Sequence, residues 1–266
     1  MVKGCTVVRF ISFHSFKGGT GKTTLATNFA VINALDGRNV CLLDFDFRAP
    51  SLHVFFKANP KLWLNDFLND KCRITETLHE IDTNDTGKLV VAFANPSTEA
   101  MRDMMTKDRE WEARALHHIL SAKALMLNEG FDLVVFDTSP GIQYSSVNAL
   151  ASSNTIVLVM NMDELDREDM INVVNKLYKP LGRRIGIVLN KVLLCLPGDK
   201  HIKKTDNRSI RLRERVENRF GCPVWGLVPC FCEVLLEGTI VHALQKPNHP
   251  LVTALEAVAD SIQNGI

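Results

Sequence analysis

The chain has 266 residues, 46% hydrophobic and 23% charged, enough for a large core and an expected single domain over 1–266, which sets aside a disordered chain. Its net charge of +1 offers no bulk attraction to nucleic acid or membrane, so any such contact must be local. No apolar run approaches the ~20 residues that span a bilayer, and Met1-Val2-Lys3-Gly4 leads into an apolar run without signal-peptide architecture, so a cytoplasmic location is expected.

The first predicted strand, Val7–Phe13, runs into Phe16-Lys17-Gly18-Gly19-Thr20-Gly21-Lys22-Thr23-Thr24 and then a helical pattern over Thr23–Leu35. Strand, glycine-rich loop and helix in that order are the context of a phosphate-binding P-loop. Gly18, Gly19 and Gly21, with Thr20 between them, let backbone N–H groups converge on phosphate at a helix N-terminus, where the helix dipole favours negative charge. Lys22 supplies a point charge for the β- and γ-phosphates, the Thr23 hydroxyl is placed to ligate Mg²⁺, and Thr24 to reach the α-phosphate. The ordinary G-x-x-x-x-G-K-[ST] pattern has glycine where Phe16 stands, and a second lysine, Lys17, follows.

Further short apolar runs predict strands at Val40–Leu43, Leu89–Ala94, Leu133–Phe136, Ile156–Met160, Ile185–Leu189 and Val224–Val228. Helical patterns lie near Glu99–Leu127, Asp166–Tyr178, Ser209–Phe220 and Pro250–Ile262. The alternation predicts an α/β fold, a mostly parallel sheet of seven or eight strands with helices on both faces. Ligands bind outside the carboxyl ends of such strands, so the residues just past each strand carry the functional expectations.

Past Val40–Leu43 come Asp44 and Asp46, two carboxylates that need a cation, a water or a hydrogen-bond partner. An Asp-capped turn would carry the same residues. Leu133–Phe136 ends in Asp137, a Walker B arrangement whose carboxylate holds Mg²⁺ directly or through water, whereas Asp132 precedes that strand at the wrong end. Past Ile185–Leu189 stands Asn190, whose amide can donate to and accept from a base edge at once. Past Val224–Val228 come Pro229-Cys230-Phe231-Cys232. Seven cysteines, an odd and scattered number, argue against a disulfide framework and predict mostly buried thiols. Cys230 and Cys232 would share one side of an extended segment, and two protomers could assemble four thiolates around Zn²⁺; buried small hydrophobes are the alternative.

The K-G-G-T-G-K-T-T string resembles the deviant Walker A of the MinD/ParA group of P-loop ATPases, and the resemblance runs from Val7 to about Ile262. It implies a SIMIBI-type P-loop NTPase fold, slow Mg²⁺-dependent ATP hydrolysis stimulated by an unknown activating protein, and a homodimer formed across ATP. In that family Lys17 would reach phosphate on the partner's nucleotide, Asp46 would orient the attacking water and Asp44 would support Mg²⁺ and its water shell. Asn190 would recognise adenine, with Leu193 in the place of the aspartate of a guanine-reading N-K-x-D motif. Pro229 would line the base, although Phe231 replaces the aspartate expected in that turn, and Thr138-Ser139-Pro140-Gly141 resembles switch II with Ser139 in place of a proline. Spatial positioning of a cellular cargo is the leading role implied. A metal-cofactor maturation or metallochaperone ATPase using Cys230 and Cys232 is the alternative.

Between residues 200 and 219, eight Lys/Arg (Lys200, Lys203, Lys204, Arg208, Arg211, Arg213, Arg215, Arg219) face three acids (Asp206, Glu214, Glu217), a local +5 that leaves −4 for the rest. Such a basic helix could meet DNA phosphate, an anionic membrane or an acidic partner; a solvated face with an Arg213–Glu217 pair is the alternative. The C-terminal helix carries no Lys or Arg after Lys246, and Val252, Leu255, Ala259 and Ile262 read as a core-facing stripe, so no C-terminal membrane helix is expected. Met101, Met104 and Met105 at helical spacing read as core, with an adaptable binding surface as the alternative.

Overall fold

The structure, a computed structural model, describes residues 8–83, 87–193 and 207–264. Eight strands form one sheet: β1 (Arg9–His14), β2 (Asn39–Phe45), β3 (Leu78–Ile81), β4 (Lys88–Ala92), β5 (Leu133–Thr138), β6 (Thr155–Met160), β7 (Arg184–Val192) and β8 (Val224–Pro229). Their spatial order is β3-β4-β2-β5-β1-β6-β7-β8, and every neighbouring pair is parallel except β3 with β4. The seven predicted strands are all present: five are extended by a residue or more, β1 runs from Arg9 to His14 and β4 ends at Ala92, two residues short of the expected end, and β3 is an additional antiparallel edge.

The helices are α1 (Lys22–Leu35), α2 (Leu52–Phe55), α3 (Leu64–Leu68), α4 (Thr98–Met105), α5 (Arg109–Asn128), α6 (Tyr144–Ser152), α7 (Glu168–Val173), α8 (Asn207–Phe220), α9 (His242–Gln245) and α10 (Pro250–Asn264). Buried side chains alternate between the two faces of each central strand, as a period of two requires. Ile11, Phe13, Leu42, Val135, Val157 and Val188 pack toward α1 and α10. Phe10, Leu43, Val134 and Phe136 pack toward α5, and Ile156, Leu158, Ile187 and Leu189 toward α7 and α8.

Three expectations change. The stretch 99–127 is two helices: Ser97 caps α4 by accepting from the Ala100 N–H at 3.2 Å, and Asp108 caps α5 by accepting from the Trp111 N–H at 2.8 Å. Both are ordinary N-caps that satisfy otherwise orphaned amides. No residue of α4 is fully buried: Met105 is 64% exposed, whereas Met104 is half-buried and packs against the cluster beneath α5, so the methionine row meets the core only at Met104. Of the five described cysteines only Cys41 and Cys222 are buried; Cys5 and Cys195 lie outside the described residues.

The apolar stripe of α10 is buried, with Val252, Leu255, Ala259 and Ile262 in the cluster that α1 shares. Among the described residues no helix is long and apolar enough to cross a membrane.

Candidate functional site

The strand order places β1 between β5 and β6, so the loop leaving β1 sits at the centre of the sheet's carboxyl edge, where chain connections diverge to either side. That loop is the glycine-rich one. Gly21 is the N-cap of α1 with φ of 84°, a left-handed conformation open to glycine. A Cβ there would stand 2.3 Å from Asn190 Nδ2, so a side chain at this position would displace the amide that bonds the loop.

Two further contacts tie β7 to the loop. Asn190 Nδ2 donates to the Thr20 carbonyl at 2.7 Å and Lys191 Nζ donates to the Gly19 carbonyl at 2.8 Å. Lys191 holds a left-handed backbone with φ of 55°, uncommon for a residue bearing a side chain. No motif spacing marks the Lys191 contact with Gly19, which joins positions 172 residues apart. Asn190 and Pro229 both line an open cavity of about 460 Å³ that reaches Gly19, Gly21 and Thr24. With one amide proton committed to Thr20, Asn190 keeps its Oδ1 as an acceptor.

Below the loop, Lys22 Nζ donates to Asp137 Oδ1 at 2.6 Å, with side-chain exposures of 5% and 1%. Asp44 lies opposite Asp137 in the parallel register of β2 and β5 and is fully buried. Burial pushes the Asp44 carboxyl well above the usual carboxylate range, and the neighbouring Asp137 and Asp46 push it further. Burial also raises Asp137, opposed by Lys22 and by the Thr23 hydroxyl. Asp44 Oδ2 and Asp137 Oδ2 are buried without a partner. Two orphaned carboxylate oxygens beside a threonine hydroxyl suit a hard divalent cation such as Mg²⁺.

Asp46 extends the acidic group. Its Oδ1 accepts from the Arg48 N–H at 3.3 Å, the Ala49 N–H at 3.1 Å and the Ser139 hydroxyl at 3.0 Å, while its own N–H donates to Asp44 Oδ1 at 3.1 Å. Asp46 therefore does build the Asp-capped turn that the sequence allowed, while standing beside the metal-type carboxylates. Asp132 is at the far end of β5, where its Oδ2 accepts from the Asn39 N–H at 2.8 Å.

The two loop lysines point to different partners. Lys22 is buried on Asp137, whereas Lys17 is about one-third exposed and its Nζ meets Asp163 Oδ2 at 2.9 Å. His14, at the end of β1, is fully buried with Nδ1 2.6 Å from the Thr138 hydroxyl, which donates on to the Phe13 carbonyl at 2.9 Å. Its Nε2 has no partner, and burial with the nearby Lys22 charge lowers it to about 3, so it is neutral.

Cys230 lines the cavity and Cys232 is exposed; burial and the adjacent Cys232 thiol raise the Cys230 thiol above its ordinary range. Among the described residues no group of three or more His, Cys, Asp or Glu side chains could hold a metal ion. The basic segment divides. Residues 200–206 lie outside the described residues, and on α8 Arg215 pairs with Asp166 at 2.5 Å and Arg219 with Glu168 at 3.0 Å. Arg213 donates to the Val224 carbonyl at 2.7 Å and Glu217 accepts from the Val224 N–H at 2.9 Å, so these two clamp the start of β8.

The sequence profile of the AAA_31 family (AAA domain) matches residues 8–187. The chain is 28% identical over 222 residues to an ATP-binding protein of Methanocaldococcus jannaschii, covering 82% of this chain and 73% of that one. It is 25% identical over 186 residues to the septum site-determining protein MinD of Synechocystis, covering 69% of this chain and 65% of that one. The fold is similar to the septum site-determining protein MinD of Pyrococcus horikoshii complexed with Mg-ADP, with a TM-score of 0.73, 21% identity and 96% of each chain covered. The profile match over residues 8–187, with the P-loop and carboxylate geometry above, shows that the chain belongs to the AAA_31 family as a MinD/ParA-like P-loop ATPase.

Proposed function

We propose that the chain hydrolyses ATP with Mg²⁺ and cycles between a monomer and an ATP-bound homodimer, as a switch that positions a cellular cargo in the cytoplasm. The observation that carries this reading is the division of labour between two lysines of one loop, Lys22 buried on Asp137 and Lys17 at the surface on Asp163. One triphosphate needs one such cation held in place, and the second, held at the surface by Asp163, is available to a facing protomer once it leaves that partner.

Thr23, Asp44 and Asp137 would hold Mg²⁺, which when bound supplies charge neutralisation. The protein's own groups do the rest. The N–H groups of residues 18–24 bind the phosphates, Lys22 compensates charge on them, and Asp46 orients water for in-line attack. Asn190 Oδ1, with Pro229 beside it, accepts from the adenine amino group, where guanine presents an acceptor instead. An activating protein is expected to engage the dimer. On α8, Arg208 and Arg211 remain exposed without an ion pair among the described residues and are available to DNA or an acidic partner.

The test is nucleotide binding and turnover side by side. Asp46→Ala keeps ATP affinity within about threefold and loses at least roughly tenfold in turnover. Asn190→Ala erases a preference for ATP over GTP of roughly tenfold. Equal affinity for ATP and GTP in the unaltered chain, or full turnover by Asp46→Ala, contradicts the reading.

A further inference from the structure

Ser139 occupies the place where the resemblance expects a proline, and its side chain makes a bond that proline cannot. It is the first residue past β5 and is fully buried. Its Oγ lies 3.0 Å from Asp46 Oδ1 and 3.2 Å from the Phe45 carbonyl. The hydroxyl has one proton to give, and the closer, charged acceptor is the stronger one.

The geometry of the sheet explains why the two meet. Asp44 is opposite Asp137 and Phe45 opposite Thr138 on adjacent parallel strands, so Asp46 and Ser139 are the next positions along as both chains leave the sheet. Ser139 is itself anchored: the Ser146 hydroxyl on α6 donates to its carbonyl at 3.0 Å, and the Gly141 N–H two residues on donates to the Ser15 carbonyl at 2.9 Å. The Ser139 hydroxyl is therefore a fixed point on the loop after β5, aimed at a carboxylate on the loop after β2. Asp46 Oδ1 is met by three donors, and among the described residues Oδ2 has none.

We infer that Ser139 is a positioning residue that locks the Asp46 carboxylate through Oδ1 so that Oδ2 is the oxygen offered to the attacking water. The inference rests on the water-orienting role proposed for Asp46. It also couples the two loops: displacement of the loop after β5, where phosphate would be sensed, carries Asp46 with it.

Two measurements test this. In nucleotide-free protein, amide hydrogen exchange at Arg48 and Ala49, whose N–H groups share Asp46 Oδ1, should quicken several-fold in Ser139→Ala, with the β2 amides at Leu42 and Leu43 unchanged. Under steady-state turnover, Ser139→Ala should lower kcat roughly tenfold, the scale of one hydrogen bond to a charged group, with KM for ATP within about twofold. In an Asp46→Ala background the same change should alter kcat by less than about twofold, because the residue to be positioned is gone. Unchanged exchange overturns the lock. An equal fold-loss in both backgrounds, or an unaltered kcat in the single variant, overturns its catalytic consequence. Absence of ATP turnover in the unaltered chain refutes the ATPase reading instead, and the exchange result then decides the lock by itself.

Discussion

Lys22 Nζ stands 2.6 Å from Asp137 Oδ1 in a site where neither side chain is more than 5% exposed. Before phosphate arrives, the P-loop cation is thus spent on the carboxylate of the next strand. Removing either partner of a buried pair strands the other charge. Lys22→Ala should destabilise the nucleotide-free protein by about 3 kcal/mol, and the double variant Lys22→Ala with Asp137→Asn should recover most of that loss, as read by urea denaturation.

Asp44 has the opposite balance. Its carboxyl is fully buried, flanked by Asp137 and Asp46, with one oxygen unpartnered. A carboxyl raised above its unfolded value binds its proton more tightly in the folded state, so its stabilising contribution is present at acid pH and lost as pH rises. Asp44→Asn should therefore stabilise the nucleotide-free protein by about 1 kcal/mol at neutral pH while reducing the thermal shift that Mg²⁺ adds to ATP. A variant less stable than the parent would contradict the reading of this carboxylate as a site waiting for a cation.

The Lys17–Asp163 pair is a surface contact, 34% and 65% exposed, in which the lysine hydrogen bond holds Asp163 below the usual carboxylate range. Such pairs contribute about 1 kcal/mol or less. Lys17 must leave Asp163 to reach a facing protomer, so Asp163→Asn should lower the protein concentration needed for ATP-dependent dimerisation by up to about fivefold, with no more than a small change in melting temperature. Sedimentation across a concentration series reads this.

Most of the architecture was legible because parallel strands buried on both faces are continuous apolar runs, and α10 carries an apolar stripe. What escaped had weak local signals. Strand β3 is four residues, Leu78–Ile81, on an edge and only partly buried. Helix α6 carries Ser145, Ser146 and Ser152, which break up the apolar pattern, although Ser146 is buried where it holds Ser139. Asp108 is a capping residue set within a polar stretch, where its signal does not stand out from neighbouring charges. Lys22 and Asp137 stand out as candidates from motif spacing, and Asp46 from the family resemblance; the Ser139–Asp46 bond and the Lys191–Gly19 bond join segments 93 and 172 residues apart, and spacing along the chain says nothing of them.

Glu112 provides a pH test away from the site. Burial raises its carboxyl from 4.5 to about 7, even though Asn148 Nδ2 donates to Oε2 at 3.0 Å. The folded chain then binds more protons than the unfolded one between those values, so the stabilising contribution is full below about 4.5 and is lost as pH rises through about 7. Because the residue is only partly buried, the effect is limited to about 1 kcal/mol. Glu112→Gln should be more stable than the parent at pH values above that window and equal to it below, as read by thermal melts across pH.

The central claim is that ATP makes the dimer and that Lys17 is what joins it. It is tested most directly by molar mass from light scattering with no nucleotide, ADP or ATP, for the unaltered chain, Lys17→Ala and Asp46→Ala. The account predicts a dimer with ATP that persists longest in Asp46→Ala, a monomer with ADP, and little dimer for Lys17→Ala under any condition. The same mass in all three nucleotide conditions for every sample would contradict it.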